Sequence, residues 1–117
     1  MSLPIIKVSP KFFKLFLAEW VSGIALFPFV LIKNEKDLQN QKLINHECIH
    51  IRQQLEMLVV FFYVWYGIEY LIRWIILGSK LEAYRNISFE REAYAHQHDQ
   101  NYLQKRPFWA HIRWIRI

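Results

Sequence analysis

The sequence predicts a single α+β domain over residues 1–117, predominantly helical, with a small edge strand or hairpin before its central helix. Three observations carry this prediction. Residues 38–58 contain no Gly or Pro and repeat apolar side chains at helical offsets. Residues 24–32 are rich in β-branched and aromatic side chains, but Pro28 restricts a strand there to a sheet edge. Residues 89–104 are rich in strong helix formers.

The N-terminal part of the chain is predicted to begin as an extended lead-in. Pro4 and Pro10 oppose a regular helix within residues 1–10. Residues 11–21 then show the apolar spacing of a short amphipathic helix. The N-terminus has basic residues but no clean apolar core followed by a cleavage site, so no signal peptide is predicted. A cytoplasmic location, or the inner face of a membrane, is therefore expected.

Composition restricts the partners of the chain. Apolar residues make up 54% of the sequence and aromatic residues 17%, which is rich for a small soluble protein. This surplus favours a membrane surface, a homo-oligomer interface or a large substrate groove. The net charge of +5 includes no Lys/Arg block, so an anionic lipid surface or an acidic partner is favoured over nucleic acid. The single cysteine, Cys48, excludes an internal disulfide and a Cys-rich zinc ribbon.

Residues 57–77 form the most apolar part of the sequence. They reach the length of a membrane span but include Glu69 and Arg73. A charged side chain at the bilayer centre costs about 3 kcal/mol on insertion scales, and two of them weaken insertion further. We therefore expect a helical hairpin broken near Gly67, buried in the fold or half-sunk at a membrane interface. A transmembrane span is the less favoured alternative.

The central helix carries an H-E-x-x-H pentapeptide, His46-Glu47-Cys48-Ile49-His50. Residues four apart on a helix project from one face, so the two imidazoles can chelate a single Zn²⁺ ion. Glu47 lies where a carboxylate can deprotonate a water molecule on the metal and act as the catalytic base. Cys48 is offset from both histidines around the helix and is expected to be a small buried side chain. The pentapeptide therefore predicts a catalytic zinc site.

A catalytic zinc site usually has a third protein ligand and an open position for water. The downstream candidates are Glu82, Glu90, Glu92, His96, His98 and His111. Glu90 and Glu92 differ by about 200° around a helix, so only one of them can face the metal.

The pentapeptide and the sequence Glu90-Arg91-Glu92-Ala93 together resemble the gluzincin branch of the zinc metallopeptidases, in particular short bacterial H-E-x-x-H proteins. In that family, E-x-x-A on a later helix supplies the third ligand, and an edge strand before the motif helix holds the substrate backbone. The resemblance implies a minimal zincin-like fold, Zn²⁺ held by His46, His50 and Glu90, and amide-bond hydrolysis in a peptide or protein substrate. Glu92 remains the alternative third ligand. Tyr94 stands where the family usually has Asp or Asn.

Several polar side chains are candidates for supporting roles. A tetrahedral oxyanion requires a further donor, and Tyr84, Arg85, Tyr94 and His96 are available in the sequence. Gln54 follows the pentapeptide by one helical turn and is a candidate to contact a metal ligand. Residue spacing does not choose among them.

Two other functions fit the same residues. The chain can be a non-catalytic zincin-like protein that binds metal and serves as a membrane-associated scaffold. It can also be a di-iron carboxylate protein, because Glu47-x-x-His50 is itself the E-x-x-H pair used in such helical bundles. A second E-x-x-H is absent from the sequence, which makes the di-iron function the weakest of the three.

Overall fold

The computed structural model describes residues 4–115 and shows an α+β fold dominated by helices, as the sequence predicts. The strands are β1 (Ile5–Val8), β2 (Gly23–Leu26) and β3 (Phe29–Ile32). The helices are α1 (Pro10–Phe16), α2 (Gln41–Glu56), α3 (Val60–Leu77), α4 (Lys80–Arg85), α5 (Ser88–His96) and α6 (Tyr102–Lys105), with 3-10 turns at Glu35–Gln39 and Ala110–Trp114.

The small sheet has the order β1–β3–β2, with β1 parallel and β2 antiparallel to β3. The predicted edge element is a hairpin, and Pro28 lies in its turn after a cis peptide bond. Within the predicted extended lead-in, residues 5–8 form a strand whose backbone pairs with β3, as their β-branched side chains favour. Among the described residues β2 pairs on one side only, so its other edge is open.

Helix α2 lies between the sheet and the helices that follow it. Its N-terminus is capped by Asn40, whose side chain accepts a hydrogen bond from the backbone N–H of Leu43. Ile51 packs on the sheet, and Ile49 packs against Ala93 of α5. The apolar positions of α2 therefore fix it on two sides, and its pentapeptide lies in the interior.

The chain turns between α2 and α3 at residues 57–59. The predicted break near Gly67 is wrong, because α3 continues through this glycine from Val60 to Leu77. A glycine inside a helix costs only about 1 kcal/mol, which the packing of Phe62 offsets. The break occurs at Val59, whose φ of 62° and ψ of −59° form a γ-turn with a 2.6 Å hydrogen bond from Val60 N–H to Leu58 O.

The predicted helix over residues 89–104 is interrupted after α5. The side-chain amide of Asn45 donates to the backbone carbonyls of His96, Gln97 and Asp99 at 3.3, 2.9 and 3.0 Å. These carbonyls turn toward α2, and the helix resumes only as α6. Asn45 of α2, directly before the pentapeptide, thus ends α5.

Replacing Val59 with glycine tests the strain of the γ-turn. A β-branched residue at this φ costs about 1–3 kcal/mol, and glycine removes most of that cost. We expect Val59→Gly to raise the free energy of unfolding by about 1 kcal/mol in urea denaturation. The matched control, Val64→Gly inside α3, should lower it by about 1 kcal/mol. A loss of stability in both variants would show that the turn is unstrained.

Candidate metal centre

The side chains of His46, His50 and Glu90 meet between α2 and α5. The two Nε2 atoms are 3.2 Å apart, and each lies 3.0 Å from Oε1 of Glu90. All three residues are buried. Zinc–ligand bonds of about 2.0–2.1 Å in a tetrahedron place neighbouring ligand atoms about 3.3 Å apart. The spacing of these three atoms therefore fits a single zinc ion.

Gln53 determines which nitrogen of His50 carries the proton. The Gln53 amide N–H₂ donates to Phe89 O at 3.1 Å and to Glu92 Oε1 at 2.9 Å, which fixes the orientation of the amide. Its oxygen then faces Nδ1 of His50 at 2.7 Å and accepts a hydrogen bond from it. In the neutral imidazole the lone pair therefore lies on Nε2, facing Glu90. This is the tautomer that a metal ligand requires.

His46 is held by two contacts from the segment at the end of α5. Its Nδ1 lies 2.8 Å from Oε1 of Gln97, an acceptor that favours the same tautomer as in His50. The ring of Tyr94 packs edge-on against the imidazole, with centroids 4.5 Å apart. In their neutral forms both imidazoles thus present a lone pair to one carboxylate oxygen, and this arrangement is repulsive unless a proton on a ring nitrogen or a metal cation lies between them.

Glu90 is oriented by Tyr66 of α3. The phenol O–H of Tyr66 donates to Oε2 of Glu90 at 2.6 Å and leaves Oε1 facing the imidazoles. Burial raises the pKa of Glu90, but His50 and His46 outweigh burial and hold that pKa well below its ordinary range. Burial likewise lowers the pKa of His50, yet the charge and hydrogen bond of Glu90 raise it to about 9. The interior around Glu90 therefore favours a positive charge.

Glu92, the alternative third ligand, faces the other side of α5. Its carboxylate accepts hydrogen bonds from Gln53 Nε2 at 2.9 Å, from the Tyr102 hydroxyl at 2.7 Å, and from Nε and Nη2 of Arg106. It lies outside the group of donor atoms that can share an ion. Glu92 acts instead through Gln53, which it orients toward His50.

Glu47 stands between two clefts. The larger, about 500 Å³, is lined by Glu47, His50 and Glu90 together with apolar side chains of β2, α3 and the end of α1. The smaller, about 240 Å³, is lined by Glu47 and His46. Burial raises the pKa of the Glu47 carboxyl group. A buried carboxylate that lines a cleft is suited to take up a proton.

A close backbone approach makes room for this carboxylate. A Cβ atom at Gly23 would lie 3.2 Å from Oε2 of Glu47 and 3.4 Å from its Cγ. Only a residue without a side chain leaves room for the Glu47 carboxylate at this position of β2. All four residues of β2 line the larger cleft.

The other predicted site residues are dispersed. Gln54 accepts from Phe27 N–H at 2.8 Å and donates to Ala25 O at 2.7 Å, so it ties the hairpin to α2. Arg85 is exposed. His96 stacks on Tyr102, with ring centroids 3.8 Å apart. Of the five supporting candidates, Tyr94 contacts a histidine of the donor group, Gln54 lines the larger cleft, and Tyr84 lines both clefts together with Glu47.

Sequence reasoning assigned no role to three residues that orient the donors. Gln53 lies three positions after His50, a spacing that brings helical side chains together, so the signal was available. Tyr66 and Gln97 come from distant parts of the chain, and no local pattern identifies them.

The acids required for a di-iron site are engaged elsewhere. Glu56 pairs with Arg106 at 2.6 Å. Glu69 accepts from Ser88 N–H at 2.9 Å and from the Trp65 indole at 2.8 Å. Within residues 4–115, one group of three or more metal-binding side chains occurs, and its two histidines and one carboxylate can hold a single divalent metal ion.

Comparison with known proteins gives no relative. The sequence matches no protein-family model and no curated protein, and the fold matches no solved structure. The resemblance to gluzincins therefore rests on the pentapeptide, the E-x-x-A sequence and the geometry described above.

Metal content distinguishes the two glutamates. We expect the wild-type protein to bind about one zinc per chain, and Glu90→Gln to lose it, because the variant lacks the ligand charge. Glu92→Gln should retain zinc, since its carboxylate is outside the donor group. Gln53→Leu should bind zinc about 10–100-fold more weakly, because the His50 tautomer is no longer fixed. Mass spectrometry and titration against a chelator give these values.

The matched control is Glu82→Gln, an exposed glutamate on α4, which should bind zinc like the wild type. Circular dichroism checks that each variant is folded. Zinc retained in Glu90→Gln and lost in Glu92→Gln would reverse the ligand assignment, and wild-type protein purified without chelator yet free of metal would remove the site altogether.

Proposed function

We propose that the protein is a zinc-dependent metallopeptidase of minimal gluzincin type that hydrolyses amide bonds in peptide or protein substrates. The convergence of the His46 and His50 Nε2 atoms on Oε1 of Glu90, within 3.0–3.2 Å, is the observation that carries this proposal. Glu47 beside this group, in the lining of the larger cleft, supports a catalytic rather than a purely structural metal.

The residues of the site divide the chemistry among them. Zinc bound there supplies a Lewis acid for the substrate carbonyl and a more acidic water molecule. Glu47 takes the proton of the attacking water and returns it to the leaving amine. Tyr66 holds Glu90 and keeps one of its oxygens turned toward the histidines. Gln53 keeps the lone pair of His50 directed to the same point.

The walls of the larger cleft indicate the kind of peptide that binds. The edge of β2 that does not pair with β3 can take an extended chain beside Gly23, as in recognition by strand addition, while Gln54 occupies Ala25 O nearer the turn. The opposite wall is formed by Phe62, Tyr63 and Tyr66 of α3. A cleft of this composition favours substrates with a large apolar side chain next to the cleaved bond.

The second candidate is a non-catalytic metal-binding protein associated with a membrane. The many exposed apolar side chains of α3 favour this function, because they indicate a surface that has a partner. The two candidates differ in the role of Glu47, which only the peptidase requires.

Replacing the general base separates the two candidates. We expect Glu47→Gln to lower kcat on internally quenched peptides containing Phe, Leu or Trp by at least about 10²-fold, because the proton acceptor is lost. Zinc content should remain at the wild-type level. A wild-type protein that holds zinc and cleaves none of these peptides would identify the non-catalytic function.

Gly23→Ala tests the fit between β2 and the base. The added methyl group requires Glu47 to move by a few tenths of an ångström, and we expect kcat to fall about tenfold with zinc retained. Gly67→Ala is the matched control, because Gly67 lines the same cleft but a Cβ there meets nothing within 4 Å. Equal activity of the two variants would show that Glu47 is not positioned by this contact.

A further inference from the structure

We propose that the protein docks on an anionic lipid surface through the outer face of α3 and the end of α1, and that the larger cleft takes its substrate from that surface. The part concerning substrate rests on the proposed peptidase function. The substrate that the larger cleft takes up would be a polypeptide segment anchored in the bilayer.

The outer face of α3 is apolar along its whole length. Six side chains define it, and each is exposed by 50–82%: Phe61, Val64, Ile68, Leu71, Ile72 and Ile75. One residue of the helix, Phe62, is buried. An apolar face of this size is exceptional on a soluble monomer and marks an interaction surface.

The two charged residues of α3 lie on its packed side. Glu69 accepts hydrogen bonds from Ser88 and Trp65, and Arg73 is one helical turn further along the same side. A helix at a water-exposed surface has the opposite arrangement, with charges outward and apolar residues inward. The charges of α3 thus face protein and its apolar residues face outward, as expected for a helix in contact with lipid.

The helix lies along the domain and does not project from it. By length and composition α3 is long enough to cross a membrane. However, Phe62 packs on Phe89 with centroids 4.5 Å apart, Tyr66 contacts Glu90, and Glu69 contacts Ser88. Contacts over successive turns hold α3 against the site, so its outer face lies in the plane of a membrane surface.

Positive charge around this face selects anionic lipid as the occupant. Lys14 lies in the last turn of α1, with Lys11 one turn earlier, and the neighbouring Leu15 and Phe16 are 71% and 70% exposed. Lys80 follows α3 with its ammonium 5.0 Å from the ring centroid of Trp74. Apolar side chains bordered by lysines match the acyl chains and the anionic headgroups of a bilayer surface. A second copy of the chain would bring these lysines together.

The cleft opens between the two apolar elements. Phe16 of α1, Tyr63 of α3 and Lys80 all line this cleft. Both aromatic rings are also exposed, by 70% and 41%. A bilayer that contacts both elements therefore covers the cleft, whose interior leads to Glu47 and His50. Substrate then enters from the lipid side.

Vesicle binding by the zinc-loaded full chain tests the docking surface. We expect the wild type to co-sediment with vesicles containing about one third phosphatidylglycerol, and at least about tenfold less with pure phosphatidylcholine. The double variant Ile68→Glu/Ile75→Glu should lose this binding by at least about tenfold, because two charges enter the apolar face. Leu38→Glu, an exposed leucine outside α1 and α3, is the matched control and should bind like the wild type.

Whether the cleft takes its substrate from the lipid surface is tested by a separate measurement. One quenched peptide is presented either free or linked to a lipid in the same vesicles. We expect the wild type to cleave the anchored form at least about tenfold faster, and the double variant to lose that difference while cleaving the free peptide normally. Wild-type zinc content in the variant shows that its fold is intact.

Each outcome has a distinct meaning. Vesicle binding unaffected by the double variant, or absent in the wild type, overturns the docking surface. A wild-type dimer that Ile68→Glu/Ile75→Glu dissociates, without vesicle binding, assigns the face to a second copy. Vesicle binding without cleavage of either peptide rejects the peptidase function and leaves the docking surface supported. Equal cleavage of both peptides rejects delivery from the lipid.

Discussion

In the interior of the molecule, the single carboxylate of Glu90 on α5 joins two imidazoles of α2 to a phenol of α3. A charged group this deeply buried is costly unless a cation and hydrogen bonds compensate it. The two histidines are therefore held where their lone pairs converge. Helices α2, α3 and α5 must pack closely enough for all the partners of Glu90 to reach its carboxylate. Binding of a metal ion at the proposed site would therefore be coupled to folding, because the ligand atoms come from both sides of the helix packing.

A second series of hydrogen bonds holds the metal-binding side chains in place. Arg106 binds Glu92, Glu92 orients Gln53, and Gln53 sets the tautomer of His50. Glu90 and Glu92 of α5 thus lie on opposite sides of the helix and have different roles. Glu90 faces the two histidines, and Glu92 orients Gln53, which contacts His50. Because α5 presents an acid on each side, α2 is fixed in rotation as well as in position.

Local signals predicted much of this arrangement. The uninterrupted apolar pattern of α2, the hairpin before it and the α+β class follow from short-range rules, and His46, His50 and Glu90 are the residues that the structure brings together. The errors involve long-range contacts. The α2–α3 break depends on the backbone at Val59 rather than on Gly67, and α5 ends where Asn45 draws its carbonyls away. Tyr66 and Gln97 act across the fold, which no sequence spacing shows.

The order of the supporting residues along the chain would affect how a metal ion reaches the proposed site during synthesis. The histidines lie at positions 46 and 50, the third donor at 90, and the arginine that steadies the whole group at 106. A ribosome releases these parts in sequence, so the nascent helix first exposes two histidines without their carboxylate or its brace. A tight site for a metal ion would exist only after the chain as far as Arg106 has emerged. Loading would therefore follow the synthesis of this segment, and early, loose capture of a competing metal by the histidine pair would be reversible.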